Sequence, residues 1–246
     1  MKTVLISGCS YSKNIEGQKC LAVFEKYFND KVDIHNISES GSSVVKSINR
    51  CYEWTAIHGF PDLLVLPITH LNRYELPIAL NDQLYDTPSL SWNQSVKLDK
   101  SMYEEKICPL VSYKDLNHFL NVYNKIFSYN MSFVSNIVRD LVGFASWLQI
   151  NECRHMIFNM ANIFDYIQVK NDVGLEKVKW LKSSSIYRLF NFCGNEWLWY
   201  QIDQKDREAL EDYHIGLTQP GAVHHHHDSY AILMKYMIRQ ILEKKL

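Results

Sequence analysis

The sequence predicts an α/β fold: a three-layer α/β/α sandwich with a central, mainly parallel sheet. Two patterns lead there. Up to Ile68, short apolar runs alternate with segments of helical periodicity in the order β-α-β-α-β. That order signals parallel strands joined by helical crossovers. The third run, Leu63–Ile68, is apolar at every position, with only Pro67 interrupting its β-forming residues. A strand covered on both faces reads this way.

The elements follow in order. Thr3–Ser7 is a short apolar run ending at Gly8, a buried strand. Gln18–Asn29 sets Cys20, Leu21, Val23, Phe24, Tyr27 and Phe28 at helical spacing. Val32–Ile37 alternates as a second strand, and the turn-rich loop Ser38–Ser43 around Gly41 follows it. Ser43–Ile57 predicts a helix with Val44, Val45, Ile48, Cys51 and Tyr52 on one face. After Leu63–Ile68 the rhythm breaks. Residues 76–125 are rich in Tyr, Asn, Asp, Ser and Pro and read as an insertion or lid, with a helix over Tyr113–Phe127. Ser132–Leu148 predicts a further helix and Arg154–Asn159 a fourth strand. Ser229–Leu242 predicts a terminal helix, with Ser229 as its N-cap and His227 at the mouth of the preceding loop. The chain therefore reads as a single domain, 1–246, carrying one insertion.

Composition narrows the function classes. An apolar fraction of 47% in 246 residues supports a real core. A net charge of −1 argues against a nucleic-acid binder that works by neutralising phosphates. Six cysteines without a CxxC pair read as free thiols of a reducing compartment. The apolar N-terminal run is too short for a signal peptide, and no stretch reaches the roughly 18 apolar residues of a membrane helix. The expectation is a cytoplasmic chain without nucleic-acid or membrane partners. The His224–His227 run is internal and precedes a helix, so it reads as native sequence.

Four segments carry candidate chemistry. In Ile6-Ser7-Gly8-Cys9-Ser10-Tyr11-Ser12 a serine follows the first strand, where open α/β sheets present ligands. Such a serine is either a nucleophile or a helix cap. In Asn36–Ser43, Gly41 can expose its N–H to an oxyanion, while Ser42 or Ser43 can cap the next helix. In Ile68–Glu75, Thr69 or Asn72 can donate to an oxyanion, and Arg73 with Glu75 reads as a structural ion pair. In Pro220–Ser229, a histidine ahead of the last helix can act as general base to the serine. A metal site is disfavoured, because neighbouring histidines on an extended segment alternate in direction and no second ligand cluster accompanies them.

Together these segments resemble the SGNH (GDSL-like) hydrolase superfamily. The likeness is to its divergent Gly-Cys-Ser-Phe-Ser/Thr branch, found in phage and bacterial hypothetical proteins. The first block stands here as Gly8-Cys9-Ser10-Tyr11-Ser12, the second as Gly41-Ser42-Ser43. The third follows Pro61-Asp62 and the strand Leu63–Leu66, with Thr69 and Arg73 at its characteristic positions. The last is His227-Asp228-Ser229, where the family has His-Pro-Ser. The resemblance implies a flavodoxin-like sheet, Ser10 as nucleophile, and Gly41 with Asn72 and Thr69 as oxyanion donors. It implies His227 as base, with His224 and His226 as alternates, and no metal or cofactor. The third-block asparagine is displaced to Asn72, and His224 occupies the place of the family's acid. Asp228 or Glu211 can replace that acid, or the site is a Ser–His dyad. The implied activity is hydrolysis of a small-molecule or glycan ester by an esterase or O-acetylesterase. The alternatives are an inactive carbohydrate- or partner-binding protein of the same fold, using Tyr85, Trp92 and Tyr103, and a His-cluster metal hydrolase.

Overall fold

The computed structural model describes residues 1–68, 73–74, 77–80, 83–86, 90–91, 114–115, 118–119, 121–122, 131–160 and 227–239. Its strands in chain order are β1 (Lys2–Ile6), β2 (Val32–Asn36), β3 (Leu63–Ile68), β4 (Arg73–Tyr74), β5 (Pro77–Leu80), β6 (Gln83–Asp86), β7 (Leu90–Ser91) and β8 (His155–Asn159). The helices are α1 (Ser10–Lys13), α2 (Gln18–Phe28), α3 (Val44–His58), α4 (Met131–Ile150) and α5 (His227–Met237). A 3₁₀ turn, Asn14–Glu16, joins α1 to α2.

The protein is an α/β fold built on one parallel sheet, in the order β2-β1-β3-β8. Burial explains the strand sequences. Val4, Leu5 and Ile6 of β1 and every residue of β3 are buried. Only a strand with helices on both sides can be apolar throughout. The path from β1 to β2 steps one way along the sheet, and the path from β2 to β3 steps back across β1. Right-handed crossovers in opposite directions put their helices on opposite faces. Thus α2 covers one face and α3 the other, with α5 packed on α2 and α4 on α3. Three layers result, as the sequence predicts.

Local chemistry sets the boundaries. The Ser43 hydroxyl caps α3 by accepting from the Lys46 N–H at 3.1 Å. Asn29 closes α2 in the left-handed region, at φ 52°. Asp62 anchors the start of β3 against β1. Its carboxylate accepts from the Thr3 N–H and the Lys2 ammonium, each at 2.8 Å. Burial raises the Asp62 pKa, but these two donors and the nearby positive charges outweigh it, so the net shift is downward.

The structure corrects one boundary. The last helix begins at His227, so Ser229 lies within its first turn and is not the N-cap. Ser229 and Tyr230 are both buried there. Within 76–125, β5 pairs with β6, and β7 pairs with β4, which lies just before this segment; both pairs are antiparallel. The described residues 114–115, 118–119 and 121–122 are helical. No described helix is long and apolar enough to cross a membrane.

Candidate active site at the carboxyl edge of the sheet

The order β2-β1-β3 reverses direction at β1. In doubly wound sheets the crevice between the carboxyl ends of β1 and β3 is the usual ligand site. The first loop enters it directly from β1. Ser7 is fully buried, its N–H donating to the Val65 carbonyl at 3.0 Å and its hydroxyl to the Ser47 carbonyl on α3 at 2.8 Å. Gly8 follows with φ 148°, a conformation closed to other residues without strain. Space at Gly8 is equally restrictive. A Cβ there would lie 2.1 Å from the Ser12 hydroxyl oxygen and 3.1 Å from the Pro67 carbonyl oxygen. The chain then turns out of the sheet, and Ser10 opens α1, half-buried. Its hydroxyl lies 3.8 Å from the Cys9 sulfur, a weak donor contact.

The second loop, after β2, is tied to the first. Ile37 N–H donates to the Ile6 carbonyl at 2.9 Å, and Glu39 N–H to the Gly8 carbonyl at 3.1 Å. The Asn36 side-chain amide donates to the carbonyls of Ser12 (3.1 Å) and Lys13 (3.2 Å), while its oxygen accepts from Ser38 N–H at 3.1 Å. Gly41 sits at φ 81°, with nothing within 4 Å of where a Cβ would stand. Its backbone is therefore approachable from that side. Arg50, reaching back from α3, donates to the Ser42 hydroxyl at 3.0 Å and pairs with the Glu39 carboxylate.

The last helix packs on the same side of the sheet as α2. Tyr230 is fully buried beside Tyr11, Cys9 and Cys20; burial, then those neighbours, push its phenol well above the usual value. The last helix lies against α2 and the 3₁₀ turn Asn14–Glu16 that follows α1. His227 is the first residue of α5, three positions before Tyr230.

Of the sequence-derived site residues, Ser10 and Gly41 come from loops joined by the Glu39–Gly8 hydrogen bond. Thr69, Asn72, His224 and His226 lie outside the described residues, as do Glu75, Trp92, Tyr103 and Glu211. Sequence reasoning missed Asn36, Asn159 and the Glu39–Arg50 pair. Asn36 and Asn159 had a signal, since both are asparagines at the carboxyl end of an otherwise strand-like run. Asn159 is 2% exposed, in register with Ile68, and its Oδ1 has no hydrogen-bond partner; the Ser12 hydroxyl is likewise buried and unpartnered. Glu39 and Arg50 stand eleven residues apart and left no local trace.

The buried thiols of Cys51 and Cys153 are poor rivals to Ser10. Cys9, Cys20, Cys51 and Cys153 are buried, and none of them is in a disulfide. Burial pushes Cys51 up to about 12 and Cys153 to about 11, which leaves almost no thiolate near neutrality. Among the described residues no group of three or more His, Cys, Asp or Glu side chains is placed to hold a metal. A polar cleft of about 470 Å³, lined by Lys2, Tyr27, Asp62 and Arg154 among others, opens at the amino edge of the sheet, away from Ser10.

No family model matches the chain, and no curated protein matches it. Among solved structures the chain is similar to the crystal structure of TesA, with 11% identity, full coverage of both chains and a TM-score of 0.41.

Proposed function

We propose that the protein is a serine ester hydrolase of the SGNH type, acting on a small-molecule or glycan ester. The observation that carries the reading is Ser10 at the β1–β3 switch point, on a turn that requires glycine at position 8 and is hydrogen-bonded to the Gly41 loop. In this reading His227, or His224 or His226 in its place, takes the Ser10 proton as Oγ attacks the ester carbonyl. The N–H groups of Gly41 and of Gly8 or Ser10, with Asn72 and Thr69, receive the oxyanion. The histidine returns the proton to the leaving alcohol, and an acyl-serine remains. Water, deprotonated by the same histidine, attacks the acyl carbon and releases the carboxylic acid and free Ser10. His227 is favoured among the three because it belongs to the helix whose Tyr230 is buried and electrostatically coupled to Tyr11 and Cys9, on either side of Ser10.

Labelling with a fluorophosphonate probe tests the assignment. The wild-type protein is expected to label, and Ser10→Ala to abolish labelling. Labelling that survives in Ser10→Ala removes Ser10 as nucleophile. A folded wild-type protein that neither labels nor cleaves short p-nitrophenyl esters, yet binds glycans, fits the non-catalytic alternative.

A further inference from the structure

We infer that Arg50 is a positioning residue for the Gly41 loop, holding it at the orientation an oxyanion site needs; the inference rests on the reading of Ser10 and Gly41 above. Arg50 lies on α3, and its side chain is only 17% exposed. Its guanidinium reaches three points of one loop. It pairs with the Glu39 carboxylate, and Nη1 donates to the Ser42 hydroxyl at 3.0 Å and the Ile37 carbonyl at 3.4 Å. Two of these points precede Gly41 and one follows it, so a single rigid group spans the glycine. Lys46 adds a second cation, 3.5 Å from the Glu39 carboxylate.

The span matters because Gly41 has no packing of its own on the side where a Cβ would stand. The direction of its N–H must be set by the anchors on either side. One of those anchors, Glu39, also donates its backbone N–H to the Gly8 carbonyl, two residues before Ser10. Arg50 thus orients the second loop relative to the first. A stability role alone explains this poorly. The Glu39 side chain is 53% exposed, and ion pairs with an exposed partner add little to folding. Misplacing one oxyanion donor, by contrast, can cost on the order of a hundredfold in rate. The planar fork is also specific. Lysine can meet Glu39, but it cannot hold Ser42 and Ile37 at the same time.

The test compares wild type with Arg50→Lys and Arg50→Met, measuring ester turnover, thermal midpoint and backbone hydrogen exchange over residues 37–43. Both variants are expected to lose roughly 10–100-fold in kcat with KM within about twofold. The midpoint should stay within about 4 °C, and exchange in the loop should accelerate. Unchanged exchange overturns the clamp itself. Accelerated exchange with unchanged kcat overturns its bearing on the site, and so does a loss of rate that merely follows unfolding. If wild-type protein neither labels nor turns over, the hydrolase reading fails first, and the wild-type sample alone distinguishes that outcome.

Discussion

Replacing Gly8 by alanine brings two costs together that can be separated. The first is conformational. At φ 148° an L-residue sits in a region that costs on the order of 1–3 kcal/mol. The second is steric. The added methyl would lie 2.1 Å from the Ser12 oxygen, 3.0 Å from the Ser12 Cβ and 3.1 Å from the Pro67 carbonyl oxygen. Rotating the Ser12 hydroxyl relieves only the first contact, because the other two atoms are fixed by the backbone. Overpacking of this kind costs about 1–3 kcal/mol. The sum is about 2–6 kcal/mol, a large part of the 5–15 kcal/mol that typically holds a domain together. At this chain length the thermal midpoint should fall by roughly 5–20 °C. Urea denaturation at constant m is the assay. The Ser12→Ala change separates the terms. Alone it should be nearly neutral, since that hydroxyl has no partner. In Gly8→Ala it should restore about 1 kcal/mol and leave the conformational cost in place. A Gly8→Ala protein within about 0.5 kcal/mol of wild type would refute the reasoning. A double variant no more stable than Gly8→Ala would refute its steric half.

Two further outcomes follow from the same structure. Tyr230→Phe removes a buried hydroxyl that has no hydrogen-bond partner, so urea denaturation should show no loss, or a gain of up to about 2 kcal/mol. A loss above about 1 kcal/mol would mean that the hydroxyl is bonded after all. For Asp62→Asn the effect depends on pH. The folded-state pKa of Asp62 is depressed, so the carboxylate stabilises the fold above its unfolded value near 3.9, and this is lost as pH falls through the folded value. Wild type should exceed Asp62→Asn in denaturation midpoint at pH 7, with the gap closing below about pH 4. A gap independent of pH would contradict this assignment.

The fold was legible wherever one pattern had one physical cause. The six-residue run Leu63–Ile68 is buried at every position, and its boundaries agree with the sequence reading. Ser43 caps α3, one of the two capping serines the sequence offered. At the last helix the signals conflicted. Both Asp228 and Ser229 are capping residue types, yet both lie inside the helix, which runs from His227 to Met237. The pairing of β5 with β6 has a local signal in the sequence. Two residues, Asn81 and Asp82, separate the strands, and both are common turn formers. Within the candidate site, Ser10 and Gly41 were legible because each follows a strand. Arg50 was not, because its partners at 37, 39 and 42 become neighbours only when α3 folds back over the loop.

That distinction bears on how the site is built. Residues that touch a ligand at a sheet edge must sit just past strands, so their place in sequence announces them. The groups that orient them need only be near in space. Here Ser7 hydrogen-bonds to α3, Glu39 to Gly8, and Asn36 to the carbonyls that end α1. Every one of these bonds joins the Ser10 turn to the β2–α3 segment. The two loops therefore form one mechanical unit, and substitutions on opposite sides of it should not add. Combining Arg50→Met with Asn36→Ala should disturb the Ser10 turn by less than the sum of the single effects if each already frees the same loop, and by more if the two restraints back each other up. Either departure from additivity marks contact through shared structure. Simple additivity would mean that the loops move independently and that α3 has no part in setting the geometry of Ser10.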